Sequence, residues 1–299
     1  MPEVLILGGG PAGITAALYC ARAGLDVAVL EKAIVGGQMA LAEKIDNYPA
    51  ARQDGMALSV AMQKQAEEFG ASFLHTEIIS ADFIPQRKVL RSVKDIFEAP
   101  CVILATGAAP MRLGIPNESK YVGHGLSYCA TCDGRFFKEK RVAVVGGGNS
   151  AVSEALYLSA LGAQVYLLHR RNELRAEHML QKRLFRSPVV FHPSCTVKAL
   201  LGKDKLESIV TETNGQREEL AVDGLFVAIG RKPESELFCE SLCTDEHGYL
   251  LVSEDTKTTI EGVFAAGDVR KKPLRQIVTA VSDGAVAAQQ ALEFLRHRA

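Results

Sequence analysis

The feature that leaves this chain the fewest folds is a unit that occurs twice: apolar strand, glycine-rich turn, helix, second apolar strand. The first copy runs from Val4-Leu5-Ile6-Leu7 into Gly8-Gly9-Gly10-Pro11-Ala12-Gly13, continues as a helical stretch to Arg22, and ends in Asp26-Val27-Ala28-Val29-Leu30-Glu31. Gly8, Gly10 and Gly13 answer three separate needs: a tight turn, close approach of backbone to a pyrophosphate, and close seating of the helix on the strand. Glu31, at the end of the second strand, stands where a carboxylate can accept hydrogen bonds from a ribose diol. Glycine spacing alone is a weak signal. Strand, turn, helix, strand and terminal acid in that order make a dinucleotide site.

The second copy runs from Val142-Ala143-Val144-Val145 into Gly146-Gly147-Gly148-Asn149-Ser150-Ala151, with a helix to about Leu161. Ala151 replaces the third glycine, which the fingerprint tolerates. Its second strand, Gln164-Val165-Tyr166-Leu167-Leu168, ends in His169-Arg170-Arg171 instead of an acid. An acid there would repel a 2′-phosphate, whereas two guanidiniums offer it bidentate hydrogen bonds, and Arg175 extends the same patch. NADPH rather than NADH is therefore expected, a solvated basic strand end being the plainer alternative. Each half has a later apolar strand ending at a glycine, Cys101 to Gly107 and Leu225 to Gly230. A third such strand, Val263 to Asp268, leads to Arg275, Gln276 and a C-terminal helix; Asp268 suits either a polyol chain or a helix cap. With 299 residues, the expectation is an α/β chain of two Rossmann-like domains.

Between the two units' motifs lies Cys129-Ala130-Thr131-Cys132-Asp133-Gly134, two thiols one turn apart followed by an acid. A Cys-x-x-Cys beside a βαβ unit reads as redox chemistry, with Asp133 placed to carry a proton. The alternative is half of a zinc site, but Cys239, Cys243 and His247 lie far along the chain at helical spacing, so no metal is expected. Cys20 and Cys101 read as buried, inert thiols. The strand at Val4 follows the start directly, with no basic segment or cleavage signal, and no apolar run approaches the ~18 residues that span a bilayer. A cytosolic protein is expected. Thirty-four basic and 35 acidic residues give a net charge of −1, which argues against nucleic acid as a partner.

With these motifs in this order and spacing, the chain resembles the low-molecular-weight, bacterial-type thioredoxin reductases over essentially its whole length. The most specific stretches are Cys129 to Gly134, Gly146 to Ala151, His169 to Arg171 and Gly262 to Val269. The resemblance implies two Rossmann-like domains, an FAD domain split into residues 1–110 and 245–299 and an inserted NADPH domain, 115–241, that carries the cysteine pair. It implies an FAD site of Gly8, Gly10, Pro11, Ala12, Gly13, Glu31, Lys32, Gly36, Gly37, Gln38, Asn47, Ala105, Thr106, Gly107, Gly267, Asp268, Arg275, Gln276 and Ile277. NADPH would meet Gly148, Asn149, Ser150, Ala151, His169, Arg170, Arg171 and Arg175. Cys132 would face the flavin, Cys129 would attack the thioredoxin disulfide, and Asp133 would be the acid. The implied protein is a homodimer whose inserted domain rotates about hinges near Arg112 to Pro116 and Pro233 to Leu242.

Some positions depart from the family pattern. His124 stands where Lys or Arg is common, and Arg135 precedes Phe136-Phe137 in the loop expected to receive thioredoxin. Ala50 stands where glycine is usual and Ser153 where Glu is common. The rival readings keep the fold and change the donor or acceptor: a ferredoxin-fed reductase, a peroxide-reductase flavoprotein, or a dithiol oxidase using oxygen. The intact second loop and arginine pair argue against ferredoxin, and the absence of a thioredoxin-like domain before Val4 against the peroxide-reductase arrangement. A non-catalytic scaffold sensing the same nucleotides would leave the dithiol without a task.

Overall fold

The computed structural model describes residues 1–42, 45, 47–51 and 53–298. The helices are α1 (Pro11–Arg22), α2 (Gly55–Glu68), α3 (Ala130–Asp133), α4 (Asn149–Ala160), α5 (His178–Leu184) and α6 (Ile277–Arg296). The chain forms two compact units, Met1–Ala109 with Lys232–Ala299, and Pro110–Arg231.

The first unit is built on five parallel strands in the order Val263–Ala265, Cys101–Leu104, Val4–Leu7, Val27–Glu31, Ser72–His75. Val4 pairs with both Val27 and Cys101, so the strand that enters the glycine turn is the central one. Its residues alternate between two cores, which is why the strand is apolar throughout. Val4 and Ile6 pack with Ile14, Ala16 and Ala17 of α1 and Ala287, Ala288 and Ala291 of α6. Leu5 and Leu7 pack on the other face with Leu90, Phe238 and Leu250. Small residues bring α1 and α6 together: a Cβ on Gly284 would stand 2.2 Å from the Ala12 carbonyl oxygen. An antiparallel sheet of Ser80–Phe83, Lys88–Arg91 and Ile96–Ala99 completes the unit.

The second unit repeats the plan, with parallel strands Val190–His192, Gln164–Leu168, Arg141–Val145, Gly224–Val227 and Leu126–Ser127 in that order. Val142 and Val144 pack with Ala151, Val152, Ala155 and Leu158 of α4. Ala143 and Val145 face the antiparallel meander Cys195–Leu201, Ser208–Thr213, Gln216–Ala221. The fold class read from the sequence is the one found.

The boundaries differ from the expected 110/115 and 241/245: the chain crosses after Ala109 and after Arg231. Residues 232–244 lie in the first unit, where Phe238 and Leu242 are core residues beside Leu5 and Leu104. Glu234 fastens the segment there, its N–H donating to the Gly107 oxygen (3.0 Å) and its own oxygen accepting from Thr106 Oγ1 (2.5 Å). Pro233 suggested a linker, but it ends a short strand, Arg231–Pro233, and the turn that follows carries Phe238 inward. Arg112 to Pro116 lie wholly in the second unit, where the N–H groups of Leu113 and Gly114 donate to the two carboxylate oxygens of Glu118, each at 2.9 Å.

Candidate active site

The first cradle forms where the central strand of the first unit ends. Gly8 has φ +106°, and a Cβ there would stand 2.4 Å from the Ala105 oxygen, so only glycine fits the turn. A Cβ on Gly13 would stand 1.9 Å from the Gly8 oxygen, which is the close helix seating expected of it. Gly10, the residue before α1, has no side-chain cap, and among the described residues no atom beyond its own stretch of chain lies within 4 Å of a Cβ built on it. An uncapped helix start with open space before it suits a pyrophosphate, which the first-turn N–H groups and the helix dipole attract. Gly37 packs on Gly10, and the Gly36 N–H donates to the Gly9 oxygen at 2.7 Å, so the Gly36-Gly37 turn joins the same cradle.

Glu31 is in place but is turned to the loop itself, with Oε2 accepting from Gly9 N–H (2.6 Å) and Oε1 from Ala33 N–H (2.7 Å). Lys32 is exposed and paired with Glu234 at 3.4 Å. Gln38 donates to the Ala108 oxygen, and Asn47 Nδ2 donates to Gln276 Oε1 at 3.0 Å. Gln276 starts α6 in a capping box with Thr279, and Ile277 packs with Met39, Ile45 and Leu58. Arg275 lies over the Tyr249 ring at 3.9 Å, and its Nε is buried with no hydrogen-bond partner among the described residues. A guanidinium N–H held dry and unsatisfied, together with the open Gly10 start, fits the polar chain of a flavin dinucleotide.

Sequence reasoning missed Asp283. From α6 its carboxylate accepts from Gly267 N–H (2.9 Å), Arg270 Nη1 (3.2 Å) and Lys272 Nζ (2.6 Å), and so fixes the Gly267-Asp268 turn. All three side chains of this cluster are largely buried. Nothing in helical spacing distinguishes Asp283 from an ordinary surface acid.

The second cradle repeats the first at its tight turn and at its open helix start. A Cβ on Gly146 would stand 2.4 Å from the Ala228 oxygen, and Gly148, like Gly10, begins a helix uncapped and with nothing within 4 Å. Ala151, in the third glycine position, is fully buried against the strand. Arg175 and Ala176 donate their N–H groups to the Gly147 oxygen (2.7 and 3.1 Å), which brings the segment after the arginine pair back to the loop. Asn149 is held by Glu177, another residue missed, through two 2.8 Å hydrogen bonds. Arg170, Arg171, Arg175 and Ser150 are exposed, and among the described residues none of the three guanidiniums has an ion pair. His169 differs from its neighbours. It is buried under Gly147, whose Cβ position lies 2.3 to 2.5 Å from the ring atoms. Burial, then the charges of Arg175 and Arg171, push its imidazole below the usual range, so it is a neutral support for the loop at neutral pH.

Cys129 and Cys132 are joined by a disulfide, with Cα atoms 5.3 Å apart. Cys129 caps the start of α3, and its carbonyl oxygen accepts from the N–H groups of Cys132 and Asp133 (3.2 and 3.1 Å), which closes the turn. Both cysteines are half-buried, and Cys129 Sγ lies 3.4 Å from Thr131 Oγ1. Ser127 is the partner that sequence reading missed: its hydroxyl donates to Asp133 Oδ2 (2.6 Å) and accepts from Cys129 N–H (3.0 Å). Acid and dithiol are thereby held by one side chain. Tyr128 donates to Glu118 Oε1 at 2.8 Å, and burial together with that carboxylate keeps its phenol protonated. Among the described residues no cluster could hold a metal ion, and Cys239 and Cys243 are exposed free thiols.

A family model described as pyridine nucleotide-disulphide oxidoreductase matches residues 2–284. The chain is 42% identical to a thioredoxin reductase of Bacillus subtilis (strain 168), covering 98% of this chain and 94% of the relative. It is 41% identical to one of Peptoclostridium acidaminophilum, covering 98% and 96%. Among solved structures it is similar to the thioredoxin reductase of Streptococcus pyogenes MGAS5005, with a TM-score of 0.94 at 40% identity and 99% of each chain covered.

Proposed function

Because this chain belongs to the pyridine nucleotide-disulphide oxidoreductases, and within them to the low-molecular-weight thioredoxin reductases, we propose that it passes electrons from NADPH through FAD and the Cys129/Cys132 disulfide to thioredoxin. The observation that carries this reading is the disulfide at the start of α3 in a chain with two dinucleotide cradles of one design. FAD, when bound, supplies the hydride acceptor and the electron pair that opens the disulfide.

The rest is done by the chain's own residues. Gly8 to Gly13, Gly36, Gly37, Arg275 and Gln276 hold the flavin nucleotide, and Gly148 to Ala151 hold NADPH by its pyrophosphate. Arg170, Arg171 and Arg175, exposed and without acid partners among the described residues, are the groups that recognise its 2′-phosphate. Cys132 would face the flavin, and Cys129, half-buried at the start of α3, attacks the thioredoxin disulfide through a mixed disulfide. Asp133, oriented by Ser127, carries the proton that the departing thiolate needs. The same reading makes the protein a cytoplasmic homodimer; among the described residues no helix is long and apolar enough to cross a membrane.

Alkylation with peptide mapping tests the route. In the oxidised protein Cys239 and Cys243 are expected to react, while Cys20, Cys101 and Cys195 stay buried and unlabelled. Burial alone pushes the Cys20 thiol up to about 12, which further suppresses its reactivity. NADPH added without oxygen should expose Cys129 and Cys132, and only these, to the reagent. A pair that stays unlabelled under NADPH would contradict the route.

A further inference from the structure

Ala130 lies between the two cysteines as the first residue of α3 and is fully buried. A first-turn N–H has no acceptor in its own helix, and when buried it must find one elsewhere. It donates to the carboxylate of Glu154, which projects from α4. The other carboxylate oxygen, Oε2, is buried with no hydrogen-bond partner among the described residues. One oxygen of Glu154 therefore holds the dithiol turn, and the second holds nothing. The sequence reading passed over this residue for its neighbour Ser153, which is exposed.

Such a carboxylate is poorly compensated when ionised. Burial pushes Glu154 up to about 7, against the Ala130 N–H and the charge of Arg231, which both pull it down. Asp133 and Arg135 stand on the dithiol turn packed against α4, Arg141 and Tyr166 on the strands beneath, and His178, Lys182 and Arg183 on α5 alongside. Of all these charged groups, Arg231 is the one that acts on Glu154, and Asp133 is engaged by Ser127.

We propose that Glu154 is a positioning residue for the Cys129/Cys132 couple: through the Ala130 N–H it fixes the turn that carries both sulfurs, and it takes up a proton when their disulfide is reduced. The inference rests on the pair being the working couple, as above. Reduction breaks the Sγ–Sγ bond with two electrons from a dithiol or from the NADPH-fed flavin. One proton makes a thiol of one sulfur, the other sulfur remains a thiolate, and a second proton goes to the Glu154 carboxylate. The direction follows from charge: a new thiolate one peptide N–H away raises the proton affinity of the carboxylate. Below about pH 7 Glu154 already holds its proton in the oxidised protein, so the extra uptake falls in the window from about 7 upward.

The test is a redox equilibrium of the holoprotein against dithiothreitol from about pH 6 to 9, read by alkylation of Cys129 and Cys132, for the wild type, Glu154→Gln and Glu154→Ala. The Gln variant keeps an acceptor for Ala130 but takes no proton. The ratio of wild-type to Gln equilibrium constants for reduction should fall roughly tenfold across the window, the effect of one like charge at this range. Glu154→Ala should shift the equilibrium at every pH. An infrared difference spectrum of the wild type alone should gain a protonated-carboxyl band on reduction near pH 7.5, whatever the variants do. Parallel pH profiles for wild type and Gln, or reduction without a new carboxyl band, would overturn the inference and leave the proposed function standing. A disulfide that dithiothreitol does not reduce at any pH would overturn both.

Discussion

Cys129→Ser is expected to abolish thioredoxin turnover while leaving NADPH-driven bleaching of the flavin intact. Cys129 caps the start of α3, half-buried, with its sulfur beside the Thr131 hydroxyl, whereas Cys132 lies within the helical turn. A serine oxygen fits the same space and leaves the turn's backbone hydrogen bonds to the Cys129 carbonyl untouched. It is not a nucleophile toward a disulfide, because exchange needs a thiolate. Loss of an attacking residue costs catalysis orders of magnitude, so turnover should fall by about a thousandfold or more. The coupled assay with oxidised thioredoxin reads the loss. Anaerobic flavin absorbance is the control, since electron entry does not use this sulfur. Turnover within tenfold of wild type would place the attacking thiol elsewhere.

Replacing Arg170 and Arg171 together by Ala should weaken NADP⁺ binding about a hundredfold and leave NAD⁺ within about twofold. Each guanidinium contributes charge-assisted hydrogen bonds to a 2′-phosphate, and a factor of about ten apiece is the scale of such a bond at an exposed site. The side chains stand free of acid partners among the described residues, so their removal strands no buried charge and the fold should be unaffected. Titration calorimetry of the oxidised protein with each nucleotide separates the two affinities. Equal weakening of both would mean that the pair serves the pyrophosphate or the general field and not the 2′-phosphate. His169→Ala should behave differently, since the ring supports Gly147 from beneath and its loss would loosen the loop for either nucleotide.

What was legible in the sequence was what the backbone demands. Gly8 and Gly146 are read from spacing because each turn passes too close to a carbonyl, Ala105 in one unit and Ala228 in the other, to admit a side chain. Gly10 and Gly148 are read because a helix must start there uncapped. The continuous apolar strands announced a sheet buried on both faces. What escaped depends on partners outside the motifs. Ser127 orients Asp133 from outside the Cys-x-x-Cys pattern, Asp283 secures Gly267 from a different element, and Glu154 meets Ala130 only because α4 lies against α3. Glu31 was found at the right place, but its carboxylate is turned back on Gly9, since two N–H groups of the loops beside it are donors within reach. The segment 232–241 was placed in the other domain because a proline marks a change of direction and not a change of domain, and the burial of Phe238 decides the matter.

We propose that electrons pass in this chain from NADPH to thioredoxin by way of a flavin and the Cys129/Cys132 pair. Anaerobic absorbance of the purified yellow protein tests it most directly, with NADH added first, then NADPH, then oxidised thioredoxin. Slow or no bleaching is expected with NADH, prompt bleaching with NADPH, and recovery of the band when thioredoxin is added. A flavin that neither pyridine nucleotide bleaches, or a bleached flavin that thioredoxin leaves unchanged, would contradict it.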